Sequence, residues 1–351
     1  MSQAFVPVMG QNGKPLMPTI PSRARRWIKI GKATPFWSHG LLCVRLNVAP
    51  SDTQTQAVAT GIDPGSKKEG YTVKSTAHTY LNIHADAVTH VKKAVKTRRT
   101  MRRGRRYRHT PSRKNRKNRR RGNLPPSTKA RWQWKLRIAH WLMRIFPITV
   151  FVVEDVAAST RKGQRRWNGS FSPLEVGKQW FYAQLDMRMP VIRQSGWNTK
   201  QQRDALGLTK TSRKMAEVFA AHAVDSWVMA YQAVGGSPVP DNTDLFCIAP
   251  IRLHRRQLHR LEPQKGGRRA PYGSTRSQGF KRGSLAHHPH YGVVYIGGAM
   301  DGYLSLHRIA DGHRLTQKAH PEDCRFLTYN AWKTHWAVPS TKGGRRGSSA
   351  A

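Results

Sequence analysis

Apolar residues recur along the chain with periods of about two or 3.6 residues, or as short unbroken runs, and these patterns divide it into elements. Near the N-terminus, Phe5 to Met9 and the Asn12-Gly13 turn signal predict a hairpin, followed by a basic helix over Arg23 to Ile30 with Ser22 as N-cap and then a strand. Three strand-like runs, Ala57 to Ile62, Tyr71 to Lys74 and Tyr80 to His84, are separated by Gly- and Lys-rich turns and predict an antiparallel meander. Trp134, Ile138, Trp141, Leu142 and Ile145 share one helical face and predict a helix from Ser127 to Phe146, stopped by Pro147. The continuously apolar, β-branched run Ile148 to Val153 is expected as a strand buried on both faces. Helices over Leu174 to Arg188 and Ser212 to Ala233 follow. Beyond Gly235 the composition turns to Pro, Gly, Arg and His, with strands Gly292 to Ile296 and Tyr303 to His307 around a Gly297-Gly298 break, so a small β-rich module is expected. Meander, helix, buried strand, helix and helix make an α/β layer arrangement.

Composition changes the picture by naming the partner. The 351 residues carry 62 Lys and Arg against 18 acids, a net charge of +44, which excludes an ordinary metabolic enzyme. With 38% hydrophobic residues including 11 Trp, the chain is not a disordered basic tail. Lysine and arginine at this density neutralise phosphates by releasing counterions, so nucleic acid is the expected partner. The charge is concentrated: Lys92 to Gly122 holds 17 Lys and Arg in 31 residues, and no acid lies between Asp86 and Glu154. Doublets at Arg98-Arg99, Arg102-Arg103 and Arg105-Arg106 would cover most of a helix circumference, so an RNA-bound helix ended by Pro111 is expected in place of a solvated charge run. Cys43, Cys247 and Cys324 lie far apart with no paired spacing, which suggests neither disulfides nor a cysteine zinc site. His287-His288-Pro289-His290 reads as a polar loop. With no apolar run near 18 residues and no leader pattern, a soluble cytoplasmic protein that does not engage membranes is expected.

With acids this scarce, those set among apolar residues carry the chemistry. Asp63 ends an apolar strand and precedes the sharp turn Pro64-Gly65-Ser66, and Glu154 ends the Ile148 to Val153 run. Asp225 shares a helical stripe with Met215, Val218, His222 and Met229. Each has an ordinary explanation: a turn residue, an arginine partner, a satisfied core histidine. Three ionised carboxylates converging in a poorly solvated place need a cation, and oxygen-only ligands suit Mg²⁺ or Mn²⁺. Two such ions about 4 Å apart activate water and stabilise the leaving oxygen in phosphodiester hydrolysis, and His222 could orient or deprotonate that water.

The order strand-end Asp, strand-end Glu, helix His-x-x-Asp resembles the split RuvC nuclease, a ribonuclease-H-like fold. Lys14-Pro15-Leu16-Met17-Pro18, Gly61-Ile62-Asp63-Pro64-Gly65-Ser66-Lys67, Arg102-Arg103-Gly104-Arg105-Arg106, Val153-Glu154-Asp155 and His222-Ala223-Val224-Asp225 occur in the order seen in the IscB and IsrB family of transposon-encoded, RNA-guided nucleases. The resemblance runs from about Val6 to Ala233 and more weakly to Ala337. It implies that Asp63, Glu154 and Asp225 bind two Mg²⁺ or Mn²⁺ ions with His222 assisting; strand alternation points the neighbouring Asp155 to the opposite face. It implies an N-terminal PLMP-type module over 1–55, RuvC parts over 56–91, 123–200 and 201–235, a bridge helix over 92–122, and a C-terminal module over 236–351. Residues 155–221 contain neither His nor Cys, so the HNH nuclease that IscB carries there is absent, as in IsrB. The resemblance thus implies a nickase of the displaced non-target strand, with a large structured guide RNA (an omega RNA), one protein chain per RNA, and a double-stranded DNA target bearing a short flanking motif. Nucleic-acid contacts are expected from Arg98, Arg99, Arg102, Arg103, Arg105, Arg106, Arg108, Arg113, Lys114, Arg116, Lys117, Arg119, Arg120 and Arg121. In the C-terminal module, Arg252, Arg255, Arg256, Arg268, Arg269, Arg276 and Lys281 are the candidates for reading the flanking motif. A Holliday-junction resolvase shares the fold and the carboxylates, and a catalytically inactive RNA-guided DNA-binding protein or an RNA-packaging protein would share the charge.

Overall fold

Short runs of alternating and β-branched residues pair into sheets wherever a turn lets them meet. The structure, a computed structural model of the chain, describes residues 3–50, 52–109, 124–155, 173–250, 261–262, 267–268, 276–309, 311–328 and 332–337. They form two units: residues 1–34, 44–247 and 336–351 make the first, and Pro35–Cys43 with Ile248–His335 the second.

The chain opens with β1 (Val6–Met9), β2 (Pro15–Thr19), helix α1 (Pro21–Lys29), β3 (Ala33–Ser38) and β4 (Leu41–Leu46), in a sheet ordered β2-β1-β4-β3. Val6, Val8, Ala24, Val44 and Leu46 form its core. The helix starts two residues earlier than expected. Ile20 is the N-cap and Pro21 the first helical residue, because proline's fixed φ suits that place and its missing N–H costs nothing there; Ser22 lies inside the first turn. Two strands stand where one is expected, joined at His39 and Gly40, both at positive φ as a tight hairpin requires.

The central sheet holds β5 (Val58–Asp63), β6 (Lys68–Ser75), β7 (Thr79–Asp86), β8 (Val150–Asp155), β9 (Val191–Ser195) and β10 (Leu245–Pro250), neighbours in the order β10-β7-β6-β5-β8-β9. β5, β6 and β7 are an antiparallel meander, while β8 runs parallel to β5 and β9 parallel to β8. Parallel neighbours need crossovers, supplied by α2 (His90–Tyr107) with α3 (Pro126–Ile145), and then by α4 (Pro173–Asp186). From β7 through β6 to β5 the strands are antiparallel and from β5 through β8 to β9 parallel, a mixed sheet of the α/β class expected.

Strand alternation assigns the two faces of this sheet. Glu69 and Tyr71 face α3, where Lys135 Nζ donates to Glu69 Oε1 at 2.5 Å and Tyr71 Oη to Glu69 Oε2 at 2.8 Å, all buried. Gly61, Asp63, Gly70 and Thr72 face α6 (Phe219–Val234), which is packed against α5 (Gly196–Ala205). Backbone approach is close here: a Cβ on Gly61 would lie 1.8 Å from the Ser226 carbonyl oxygen, and one on Gly70 2.3 Å from that of His222.

Helix α6 begins at Phe219, not Ser212. Residues 211–218 are spent on turns, with the Thr211 N–H donating to the Ala220 carbonyl at 2.9 Å and the Lys214 N–H to Ser212 at 2.9 Å. Met215, expected on the buried stripe, is 59% exposed.

In the second unit, five antiparallel strands lie in the order Arg314–Ala319, Tyr303–His307, Gly292–Met300, Leu285–His288, Arg325–Thr328 over a core of Val294, Ile296, Leu304 and Leu306. The Gly297-Gly298 pair is not a break. The strand continues through a register shift between Ile296 and Gly298, and Gly297 makes room for the His307 ring. Leu245–Cys247 belong to the first unit and the chain re-enters that unit at Trp336, whose ring lies 5.0 Å from that of Phe246. No described helix is long and apolar enough to cross a membrane.

Candidate metal centre

Asp63 closes β5 and Glu154 lies near the end of the adjacent parallel strand β8. Gly61 pairs with Val152, so both carboxylates project from the α6 face at the carboxyl ends of these strands, where α/β sheets usually bind ligands. Helix α6 lies across the same face and delivers His222 and Asp225 one turn apart. Asp63, His222 and Asp225 are buried and Glu154 half-buried. Glu154 is seated against the start of α5. A Cβ on Gly196 would stand 2.6 Å from Glu154 Oε1, so the glycine leaves the space that the carboxylate occupies.

Asp63, Glu154 and His222 are in contact, and Asp225 is joined to Asp63 through Lys210. His222 Nδ1 is 3.0 Å from Asp63 Oδ2, and Asp63 and Glu154 share a hydrogen bond. Two cations close the cluster that the spacing of acids does not reveal. Lys210 Nζ bonds Asp225 Oδ2 and lies 3.8 Å from Asp63 Oδ2, while Arg203 Nη1 donates to Asp225 Oδ1 at 2.6 Å. With 62 basic residues in the chain, nothing in the sequence singles these two out.

Electrostatics follow from the geometry. Burial pushes Glu154 up, the charge of Asp63 and the shared hydrogen bond add to it, and its carboxyl reaches about 8. Burial acts on Asp63 in the same sense, but the hydrogen bond from His222 and the charge of Lys210 outweigh it and hold Asp63 below the usual carboxylate range. The pair therefore shares a proton, as like charges at contact must. His222 is engaged on both sides, since its Nε2 is 3.1 Å from the Lys214 carbonyl oxygen. With acceptors at both nitrogens, it serves as a base only after one of those contacts is released. Three oxygen donors compensated by a proton, an ammonium and a guanidinium are a donor set that suits Mg²⁺ or Mn²⁺.

Asp155 is directed away from this cluster. It faces α4, accepting from Tyr182 Oη at 2.9 Å and pairing with Lys178 at 2.8 Å. Burial raises its carboxyl, but those two hydrogen bonds prevail and hold it low.

Of the predicted nucleic-acid contacts, Arg98, Arg99, Arg102, Arg103, Arg106 and Arg108 are exposed on α2 and its C-cap, and Arg105 lies in the same helix. Arg276 and Lys281 are exposed on a two-strand ladder, and Arg268 lies on another, paired with Leu261. Arg113, Lys114, Arg116, Lys117, Arg119, Arg120, Arg121, Arg252, Arg255, Arg256 and Arg269 lie outside the described residues. Cys43, Cys247 and Cys324 are buried free thiols.

Residues 6–170 match the model of a family described as RRXRR protein, a pattern that Arg102-Arg103-Gly104-Arg105-Arg106 spells out. No curated protein matches the chain. Among solved structures, Thermus thermophilus RuvC in complex with Holliday junction substrate is similar at 16% identity and a TM-score of 0.29, covering 51% of this chain and 97% of that one. A second Thermus thermophilus RuvC structure is similar at 16% identity and a TM-score of 0.26, covering 51% and 96%. The yeast mitochondrial Holliday junction resolvase Ydc2 is similar at 14% identity and a TM-score of 0.26, covering 51% and 78%.

Proposed function

We propose that the chain is an RNA-guided DNA nickase with a single RuvC-type site. The observation that carries the reading is the contact of Asp63 with Glu154 and His222 at the ends of β5 and β8, with Asp225 joined to Asp63 through Lys210. In that role Asp63, Glu154 and Asp225 would hold two divalent ions, which would supply Lewis-acid stabilisation of a phosphodiester under attack by water. His222, once free of the Lys214 carbonyl, takes a proton from the attacking water through Nε2 while Asp63 fixes its ring through Nδ1. Helix α2 presents arginines to the guide RNA backbone, and pairing with the guide selects the DNA.

The test is a supercoiled plasmid carrying a guide match with randomised flanks, incubated with the native protein, its copurifying RNA and Mg²⁺. Nicked circles are expected. Asp63→Ala, Glu154→Ala and Asp225→Ala should each abolish nicking while RNA still binds, and Asp155→Asn should leave nicking intact. Linear product would mean a second cutting site. Cleavage of a four-way junction without RNA would make the chain a resolvase.

A further inference from the structure

On the sheet face opposite the carboxylates, α3 carries a groove that none of the chemistry above uses. Its volume is about 620 Å³, within the range of built ligand pockets, and Leu136 and Met143 supply its apolar part. Arg137, His140 and Arg144 line it from one face of α3 at steps of three and four, and Arg188 reaches it from just beyond α4. The three arginines are exposed, and among the described residues none has an acidic partner. The nearest acid in sequence to Arg188, Asp186, is committed to Arg193 at 3.4 Å. Uncompensated positive charge crowded along a concave surface calls for a polyanion.

The histidine narrows the choice. His140 Nε2 is shut off from solvent and meets no hydrogen-bonding partner among the described residues. Burial, then the charges of Arg188 and Arg144, lower its pKa, so the imidazole stays neutral among cations and can both accept and donate. A neutral donor–acceptor beside arginines suits a ribose hydroxyl flanked by phosphates, the group that distinguishes RNA from DNA. Position agrees. A strand lying here is separated from the Asp63 cluster by the sheet, so it is held and not cut.

We infer that the α3 groove is an RNA-binding site in which Arg137, Arg144 and Arg188 hold successive phosphates and a turn of the His140 side chain bonds a ribose 2′-hydroxyl. The inference rests on the RNA-guided reading for the identity of the RNA, but its test does not require cleavage. The RNA recovered with the full-length wild-type chain is sequenced, transcribed and labelled. Its binding, and that of a DNA strand of the same sequence, is measured over a salt series. Arg137→Gln/Arg144→Gln/Arg188→Gln should weaken RNA binding by about tenfold or more. It should also reduce the slope of log affinity against log salt by about 2, three contacts at roughly 0.7 each. His140→Ala should lower the preference for RNA over DNA and leave DNA affinity unchanged. Wild-type RNA affinity and slope in the triple variant would overturn the site. Equal loss on RNA and DNA, with the preference unmoved by His140→Ala, would overturn its assignment to RNA. Absence of guided nicking alongside the expected binding changes would leave this site standing and remove only the nickase reading.

Discussion

Lys210 is the residue on which the acidic cluster depends when no divalent ion is bound. Its ammonium serves both Asp225 and Asp63, whereas Arg203 serves Asp225 and the exposed Asp204. Removing one partner from a largely buried pair leaves the other uncompensated, so Lys210→Met should cost about 1–3 kcal/mol in the presence of a chelator. Mg²⁺ should then raise the melting temperature of the variant by more than that of the wild type, because one tethered cation fewer competes with it. Equal melting temperatures in chelator would remove the counter-ion role. His84 gives a second prediction. Its ring lies 5.3 Å from that of His222, it is buried, and both nitrogens meet no hydrogen-bonding partner among the described residues. Burial first, then the charges of Lys68 and His222, lower its pKa to about 4 from 6.5. The folded state therefore favours the neutral ring. This contribution is complete above pH 6.5 and lost as the pH falls through 4, amounting to about 3 kcal/mol. His84→Leu should flatten the fall of stability between those pH values in denaturant titrations, and an unchanged slope would refute it.

At the scale of elements, the glycines at the α6 contact set how close helix and sheet come. Gly61→Ala would place a methyl group on the Ser226 carbonyl and should cost about 3 kcal/mol or more, since both sides of the clash are backbone. The helix would have to move, taking His222 and Asp225 with it, so metal-dependent activity should fall further than stability. A variant as active and stable as the wild type would show that the contact yields. This explains which parts of the architecture are readable in the chain. Strands and long helices announce themselves by period, and α3 and the meander lie where Trp134 to Ile145 and Ala57 to His84 place them. The start of α6 does not, because Met215 and Val218 continue the helical spacing by chance while Thr211 to Glu217 fold into turns. Asp63, Glu154 and Asp225 are legible because acids are rare and these three sit beside apolar runs. Lys210 and Arg203 are illegible for the opposite reason, being two among many, and only the tertiary fold distinguishes them.

At the scale of the whole molecule, a charge of +44 with 18 acids makes the free chain self-repelling. Bound polyanion relieves that repulsion and binds only the folded form with specificity, so the RNA-free chain should melt at lower temperature than the RNA-bound one. The gap should shrink as salt rises and counterion release weakens binding. A melting temperature indifferent to RNA at low salt would count against RNA as the resident partner. The central sheet has a consequence of its own. With Glu154 and Asp155 turned to opposite sides by the strand's alternation, one wall of backbone separates the acids from the α3 groove, so on the proposed reading the chain is partitioned into a blade and a handle. Alterations confined to either side need not propagate through the wall, which makes blunting the edge and loosening the grip independent operations.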